Sequence, residues 1–347
     1  MNDSINNDDF ERCLVIGGSG MLGFEIVKQL QAEGKFVRVM DIQPLPKAVN
    51  GVEFILGDIR NVFDVQLACK NIDIVFQTAA AVWNPKLPKH VFYNVNVLGN
   101  RNVIDVCKKY AIRKLVYSST LDVVVDGKKP IVYGDESLPY PEKMPKDHYS
   151  HSKIIAEQLM IEANNPELLT CSLRPVGMYG PRDRYHIANI IEVAKSKNNI
   201  KLGDGSAHFS HVYSENAAYA HVLAAKNLTQ DSPVAGQSYF ITDHQPAENL
   251  FAFMEPFLKG LGLPIPKRSI PYRLAMVLAV FAEIFSPKSN FNRFSVIQTC
   301  VDHTFVHDKA TKDFGYEPIV SKEEAFERTL NWFKDQEAKI PNRNEIT

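Results

Sequence analysis

The sequence predicts a doubly wound, parallel α/β sheet with a smaller, mostly helical C-terminal lobe, on three observations. From Arg12 onward short β-branched runs alternate with helical periodicity, the runs are apolar throughout, and a glycine-rich turn joins the first run to the first helix. Runs of four to seven apolar residues without polar alternation are what a parallel sheet needs when helices cover both of its faces. The chain has 347 residues, 45% hydrophobic and 23% charged, enough for about two domains and near the globular average.

Met1 to Asp9 is polar and acidic, where a secretory signal needs a basic start and an apolar run; a disordered tail is expected over residues 1–10. Strands are predicted at Cys13 to Ile16, Phe36 to Met40, Val52 to Leu56, Ile74 to Phe76 and Leu115 to Tyr117, with helices starting at Met21 and Phe92. These βαβ units make residues 11–178 one α/β domain. After Tyr179 the pattern loosens, prolines cluster (Pro246, Pro256, Pro264, Pro266, Pro271) and helices dominate through Phe333. His211 to Ala225 and Ser238 to Ile241 read as a return to the sheet. The expected division therefore gives 205–245 back to the first domain and leaves 179–204 and 246–338 as the second lobe. Leu274 to Phe285 (LAMVLAVFAEIF) is nearly all apolar, but twelve residues cannot span a bilayer that needs about twenty. It reads either as a buried helix or as an interfacial or lid helix against a greasy ligand or membrane surface.

Lys plus Arg number 39 against 40 Asp plus Glu, so no global positive field draws in nucleic acid and no local basic stripe replaces it. The five cysteines (Cys13, Cys69, Cys107, Cys171, Cys300) are scattered without a CxxC pair. Neither a zinc cage nor a disulfide framework is expected, and a reducing, cytoplasmic compartment fits.

The first strand runs into Gly17-Gly18-Ser19-Gly20-Met21-Leu22-Gly23 and then into a helix bearing Ile26, Val27 and Leu30. Glycines in that place let the backbone turn sharply and approach a pyrophosphate, whose charge rests on the free N–H groups and positive end of the helix, while Gly23 permits close helix-to-strand packing. Asp41 ends the next strand, 18 residues past Gly23. A carboxylate there accepts hydrogen bonds from both ribose hydroxyls of an adenosine and repels a 2'-phosphate, which favours NAD over NADP and makes the sheet Rossmann-type. Gly57-Asp58-Ile59 follows the third strand; Asp58 reads equally well as a cofactor contact or as a helix cap.

Tyr149 and Lys153, in Tyr149-Ser150-His151-Ser152-Lys153, open an amphipathic helix and share one of its faces. A phenol with pKa near 10 is a poor base at neutral pH, but an adjacent ammonium and a positive nicotinamide ring stabilise the phenolate and are expected to bring it down into a useful range. The pair follows a strand ending in Tyr117-Ser118-Ser119-Thr120, where a hydroxyl beyond the carboxyl end can hold a substrate oxygen in the crevice where open sheets bind ligands.

With these motifs the sequence resembles the extended short-chain dehydrogenase/reductase superfamily, and within it the 3β-hydroxysteroid dehydrogenase-like group that includes sterol-4α-carboxylate 3-dehydrogenases. The resemblance covers nearly the whole chain. It rests also on Gln77-Thr78-Ala79-Ala80, Asn96-Val97-Leu98-Gly99-Asn100, Tyr133-Gly134-Asp135-Glu136, Leu173-Arg174-Pro175, Tyr179-Gly180-Pro181, Tyr239-Phe240-Ile241-Thr242, Arg293-Phe294-Ser295 and Phe314-Gly315-Tyr316-Glu317-Pro318. It implies Tyr149 as acid/base, Lys153 as pKa modulator and ribose ligand, and Thr120, with Ser119 as fallback, as the hydroxyl that orients substrate. It also implies cofactor contacts from Thr78, Ala79, Ala80, Asn96, Pro175 and Val176. Ile16 and Asn100 depart from the usual Thr at their positions. Nucleotide-sugar dehydratases of the superfamily carry an Asp-Glu pair directly after the active-site Thr; Leu121 and Asp122 stand there instead, which argues against elimination of water.

His208 and His211 invite a metal reading, but one strand would point a spacing of three to opposite faces, so no metal is expected; His221 reads as a packed histidine. Arg182, Arg184 and His186 read either as holders of a carboxylate at the mouth of the cleft or as a solvated loop. The expected function is NAD-dependent oxidation or reduction of a secondary alcohol or ketone on a bulky apolar substrate, foremost a 3β-hydroxysteroid or a sterol 4α-carboxylate. Alternatives are a 2-alkyl-3-oxoalkanoate reductase, a nucleotide-sugar epimerase and, outside enzymes, a silent NAD-binding scaffold. The resemblance further implies a homodimer, and the apolar helix suggests peripheral membrane contact.

Overall fold

The computed structural model describes residues 10–338 apart from 48, 128, 145, 146, 197, 198, 244, 245, 287 and 288. The expected tail, residues 1–9, lies outside the described residues, and Phe10 proves not to belong to it: its ring is buried edge-on against Phe76, because an aromatic beside the first strand finds apolar surface to cover.

Seven parallel strands form the central sheet: β1 (Arg12–Ile16), β2 (Phe36–Asp41), β3 (Val52–Leu56), β4 (Ile74–Gln77), β5 (Lys114–Ser118), β6 (Leu169–Pro175) and β7 (Ser238–Ile241). Their spatial order is β7-β6-β5-β4-β1-β2-β3, so the order reverses between β1 and β4, and a doubly wound sheet opens its ligand crevice beyond the carboxyl ends there. The predicted strands are present with an extra residue or two at their ends. A helix lies between Asn61 and Cys69, α2 (Val62–Ala68), after α1 (Met21–Ala32).

The helix expected from Phe92 is longer and irregular. It begins with α3 (Lys89–Phe92), passes through a π-turn (Tyr93–Leu98) and continues as α4 (Gly99–Lys109). Next comes α5 (His148–Glu162), capped by the Asp147 carboxylate, which accepts from the Ser150 N–H at 2.7 Å. Further helices are α6 (Ile187–Lys195), α7 (Ser214–Asn227), α8 (Leu250–Gly260), α9 (Tyr272–Phe285), α10 (Arg293–Cys300), α11 (Asp308–Phe314) and α12 (Lys322–Ala338).

Each sheet face has its own core. Ile26, Val27 and Leu30 of α1 meet the alanine-rich α7 over one face; Val103 and Cys107 of α4 with Ala156 and Met160 of α5 cover the other. Ser238 to Ile241 joins the sheet edge as β7, pairing with β6, and α7 packs on α1, so the chain leaves and re-enters the sheet.

The α9 segment is not a buried helix. Only Ala275 and Ala279, one turn apart, are fully buried, against Val296 of α10; Leu274, Val277, Phe281, Ile284 and Phe285 are exposed. The small residues give the close approach, and the large ones are left on the outer face. Among the described residues no helix is long and apolar enough to cross a membrane.

Candidate active site

A cavity of about 1320 Å³ runs along the carboxyl ends of the sheet strands and on beneath the C-terminal helices. Gly17, Ser19, Gly20, Met21, Leu22, Gly23, Asp41, Asp58, Ile59, Thr78, Ala79, Ala80, Thr120, Tyr149, Lys153, Pro175 and Val176 all line it.

At one end, Gly17 has φ +83°, and a Cβ there would stand 2.6 Å from the Ala79 nitrogen; a Cβ on Gly23 would stand 2.3 Å from the Gly17 oxygen. Both positions are closed to any side chain. No side chain caps α1, so the N–H groups of its first turn remain at the cavity edge, as an anion needs. The Asp41 carboxylate accepts from the Ser19 N–H and the Gln43 N–H, each at 3.0 Å. A carboxylate has about four acceptor sites, so two remain for a ligand.

Asp58 lines the cavity and does not cap α2. The cap of α2 is Asn61, whose oxygen accepts from the Phe63 N–H at 3.1 Å. Asp58 instead holds the Arg60 guanidinium, which keeps its carboxyl below the usual range and occupies that cation.

At mid-cavity the Asp147 cap places Tyr149 on the first turn of α5, half-buried. One turn on, Lys153 is 2% exposed. Its Nζ donates to the Ser118 carbonyl at 2.7 Å and lies 4.3 Å from the centre of the Tyr117 ring. Burial pulls the ammonium down to about 7, opposed by the charges of Glu157 and Asp122.

Burial, and then the nearby Asp122 carboxylate, push the Tyr149 phenol above its ordinary value, while hydrogen bonding with Thr120 pulls the other way. The protein's own groups thus favour the neutral phenol, because desolvation disfavours its charged form. That Thr120 is the hydroxyl beside Tyr149 favours it over Ser119, although Ser119 also lines the cavity.

Glu157, one turn beyond Lys153, is fully buried and grips Arg174 of β6 through Nε at 3.0 Å and Nη2 at 2.6 Å, with Tyr140 and Ser172 as further donors. This pair anchors α5 to the sheet. Asn96 does not line the cavity. The π-turn aims it inward, where it pairs with the backbone of Ala81 (2.8 and 3.1 Å) and donates to Ser152 Oγ at 2.9 Å. It therefore ties the loop after β4 to the helix of Tyr149, a positioning role; π-turns of this kind recur at functional sites.

Arg182 sits at the glycine turn and not at a substrate carboxylate, donating to the carbonyls of Ser19 and Gly20 at 3.0 and 2.5 Å and lying over the Phe24 ring. Arg184 lines the cavity, and the His186 ring packs 5.3 Å from that of His211. His208 and His211 lie not on one strand but on two short strands in different sheets, one exposed and one buried. His221 is fully buried, with Nδ1 on the Ala217 carbonyl at 2.7 Å. Among the described residues no histidine, cysteine or carboxylate cluster could hold a metal.

The far end of the cavity carries Met178, Met254, Leu258, Leu278, Phe291 and Phe294, with Trp83 stacked on Phe294 at 5.4 Å, among polar residues of the same lobe such as Asn189, Glu192, Lys201 and Gln298. Sequence reasoning missed Trp83 and Gln298: no spacing rule relates residue 83 to residue 294, and Gln298 becomes a site residue only because α10 folds back over Asp122.

Residues 14–273 match the 3-beta hydroxysteroid dehydrogenase/isomerase family. The chain is 35% identical over 346 residues to the human (Homo sapiens) sterol-4-alpha-carboxylate 3-dehydrogenase, decarboxylating, covering 96% of this chain and 91% of that protein. It is 36% identical to human short-chain dehydrogenase/reductase family 42E member 1, covering 93% and 87%. Among solved structures it is similar to an epimerase of Methanothermobacter thermautotrophicus (TM-score 0.75, 21% identity, 94% and 93% covered) and to a UDP-galactose 4-epimerase (TM-score 0.73, 20% identity, 94% and 99% covered), which share its fold. With a family match over most of its length and relatives above a third identical from end to end, the chain belongs to the 3-beta hydroxysteroid dehydrogenase/isomerase family of the extended short-chain dehydrogenases/reductases.

Proposed function

We propose that the protein is an NAD-dependent oxidoreductase that interconverts a secondary alcohol and its ketone on a bulky apolar substrate, foremost a 3β-hydroxysteroid or a sterol 4α-carboxylate. The observation that carries this reading is the placement of Tyr149, Lys153 and Thr120 midway along one cavity, between a glycine turn with Asp41 and a wall of apolar side chains. On this reading residues 11–178 with 205–245 bind the nucleotide, and 179–204 with 246–338 form most of the substrate end, where Trp83 and Met178 join them.

The residues fit NAD. The uncapped start of α1 and the glycine turn suit a pyrophosphate, and Asp41 has acceptor sites left for ribose hydroxyls and would repel a 2'-phosphate. When bound, NAD supplies the acceptor for the carbinol hydride. Thr120 holds the reacting oxygen, and Tyr149 takes its proton in oxidation or returns it in reduction. Lys153, fixed by the Ser118 carbonyl, offers its remaining protons to a ribose and its charge to the phenolate. Where a carboxylate sits beside the oxidised carbon, the product is a β-keto acid, which loses carbon dioxide without a dedicated residue.

The apolar wall supports a lipid over a nucleotide sugar, and the similarity to the human sterol-carboxylate enzyme points the same way. The test is NADH formation with a 3β-hydroxysteroid, a 4α-carboxysterol and UDP-galactose: turnover of the first two supports the reading, and turnover of UDP-galactose alone overturns it. The exposed face of α9, flanked by exposed Lys267, Arg268 and Arg273, supports peripheral contact of a cytoplasmic protein with a membrane, and exposed Tyr93 and Leu98 support a homodimer. Vesicle flotation and sedimentation test these two points.

A further inference from the structure

Arg182 belongs to the loop between the short strand Gly177–Tyr179 and α6, and the residues that follow it, Asp183 to His186, line the cavity. Its side chain nevertheless ends on the carbonyl side of the glycine turn. Gly180 at φ +151° and Arg182 itself at φ +70° carry the chain there. A positive φ strains any residue with a side chain and persists where surrounding contacts over-determine it. Here Nη2 uses both of its hydrogens, on the Ser19 carbonyl at 3.0 Å and the Gly20 carbonyl at 2.5 Å, and the guanidinium lies 4.1 Å over the centre of the Phe24 ring. Asp183, next in the chain, accepts from the N–H groups of Tyr185, His186 and Ile187 and fixes the rest of the loop.

We propose that Arg182 is a positioning residue of the dinucleotide site, supplied by the substrate lobe: it holds the glycine turn by its carbonyls and, through the peptide groups it grips, strengthens the hold on the pyrophosphate. The Gly20 carbonyl shares its peptide group with the Met21 N–H, the first of α1, and in a trans peptide the two point in opposite directions. Arg182 on the oxygen therefore leaves the N–H aimed at the cavity that Met21 lines. That oxygen also accepts from the Phe24 N–H at 3.1 Å, so both its lone pairs are filled. Hydrogen bonds onto a carbonyl polarise its peptide group and make the N–H a stronger donor. The Ser19 carbonyl shares its peptide group with the Gly20 N–H, which closes the turn on the Gly17 carbonyl at 3.0 Å. The charge itself also lacks a counterion. Glu25, the carboxylate that most favours the guanidinium, is engaged by Lys28 at 2.5 Å, and Nη1 of Arg182 is buried without a hydrogen-bond partner. Burial lowers this group to about 10, so it stays charged at neutral pH, and an anion bound at the turn supplies the opposite charge.

The inference rests on the reading that the glycine turn takes the pyrophosphate of NAD, and it needs no substrate. Arg182→Met tests it with ADP and adenosine, which share adenine and ribose and differ in the diphosphate, each titrated by displacement of NADH fluorescence. ADP and NADH are expected to weaken about tenfold, the scale of one hydrogen bond to a charged group, and adenosine to stay within about twofold. Unchanged affinity for ADP overturns the proposal. So does an equal loss for adenosine, because a residue that only kept the turn folded would weaken both ligands alike. A wild type that binds neither NADH nor ADP would take the NAD reading down together with the inference, whereas normal binding in both proteins sinks the inference alone.

Should Arg182→Met fail to fold by circular dichroism, Arg182→Lys and Arg182→Gln take its place, since both keep a donor for the carbonyls and only the first keeps the charge. ADP binding within about threefold of the wild type in Arg182→Lys, and weakened about tenfold in Arg182→Gln, supports the proposal. Equal ADP binding in the two overturns it.

Discussion

The two ends of the cavity are built by different physics. The nucleotide end is made of backbone: a turn in which Gly17 and Gly23 have no room for a Cβ, an uncapped helix start, and an aspartate pinned by two N–H groups. Every part of it hangs on strand ends of one sheet, so its geometry is as rigid as the hydrogen-bonded ladder beneath. The substrate end is made of side chains on α8, α9 and α10 and on the loop after β4, touching across long sequence separations, with much of α9 still facing outward. Rigid backbone suits a ligand that does not vary, and packed apolar side chains suit one whose shape does. Tyr149 and Lys153 stand at the boundary, on a helix tied to the sheet by the buried Glu157–Arg174 pair.

Changes at that boundary are expected to have the largest effect. Tyr149→Phe should lower kcat about a thousandfold, as for a lost general acid or base, while NADH affinity by fluorescence titration stays within about twofold; full activity in the variant would break the division. Lys153 comes next and is read through pH. Its pKa of about 7 in the folded chain lies below its ordinary 10.5, so between these values the unfolded chain holds the extra proton and stability rises with pH. From pH 7 to 9 the unfolding free energy of the ligand-free wild type should gain on that of Lys153→Met by about 2 kcal/mol, measured by denaturant titration; a constant difference counts against the buried ammonium.

At the nucleotide end, Gly17→Ala must accept a positive φ and a contact of 2.6 Å. It should cost about 2 kcal/mol of stability and abolish tight NAD binding, visible as a fallen Tm that NAD no longer raises. Asp41→Asn should weaken NAD about tenfold and NADP less, so that the ratio of their dissociation constants narrows; an unchanged ratio would show that the ribose is read elsewhere. The smallest change belongs to the substrate end, where Phe294→Ala removes the stack on Trp83. A loss of about 1 kcal/mol should raise KM for the apolar substrate severalfold and leave KM for NAD alone. If both rise together, the two ends are not independent.

Much of the nucleotide end could be read in advance because its signals are local. Glycines before a helix and an acid at the end of the next strand act through backbone within one βαβ unit, and the Tyr149–Lys153 spacing is set by a single turn of helix. Where reading failed, a competing interaction lay elsewhere in the fold. Asn96 looked like a cofactor contact, but the π-turn sends it to Ala81 and Ser152. Arg182 looked like part of a substrate cleft, but Gly180 and its own positive φ carry it back to the glycine turn. The apolar run of α9 read equally as a buried or as an interfacial helix, and only packing decided: alanines made its contact and left the larger residues outside.

The amino-acid order by itself determined the parallel sheet, the place of its crevice and the residue types at the nucleotide end. These depend on hydrophobic period, on glycine's missing side chain and on spacings shorter than one supersecondary unit. Tertiary structure decided which hydroxyl meets Tyr149, which carboxylate that hydroxyl serves, and what lines the rest of the cavity. Asp122 and Gln298 are 176 residues apart in the chain. No local rule joins groups so distant; only the packing of the C-terminal lobe over the sheet brings an amide to a carboxylate.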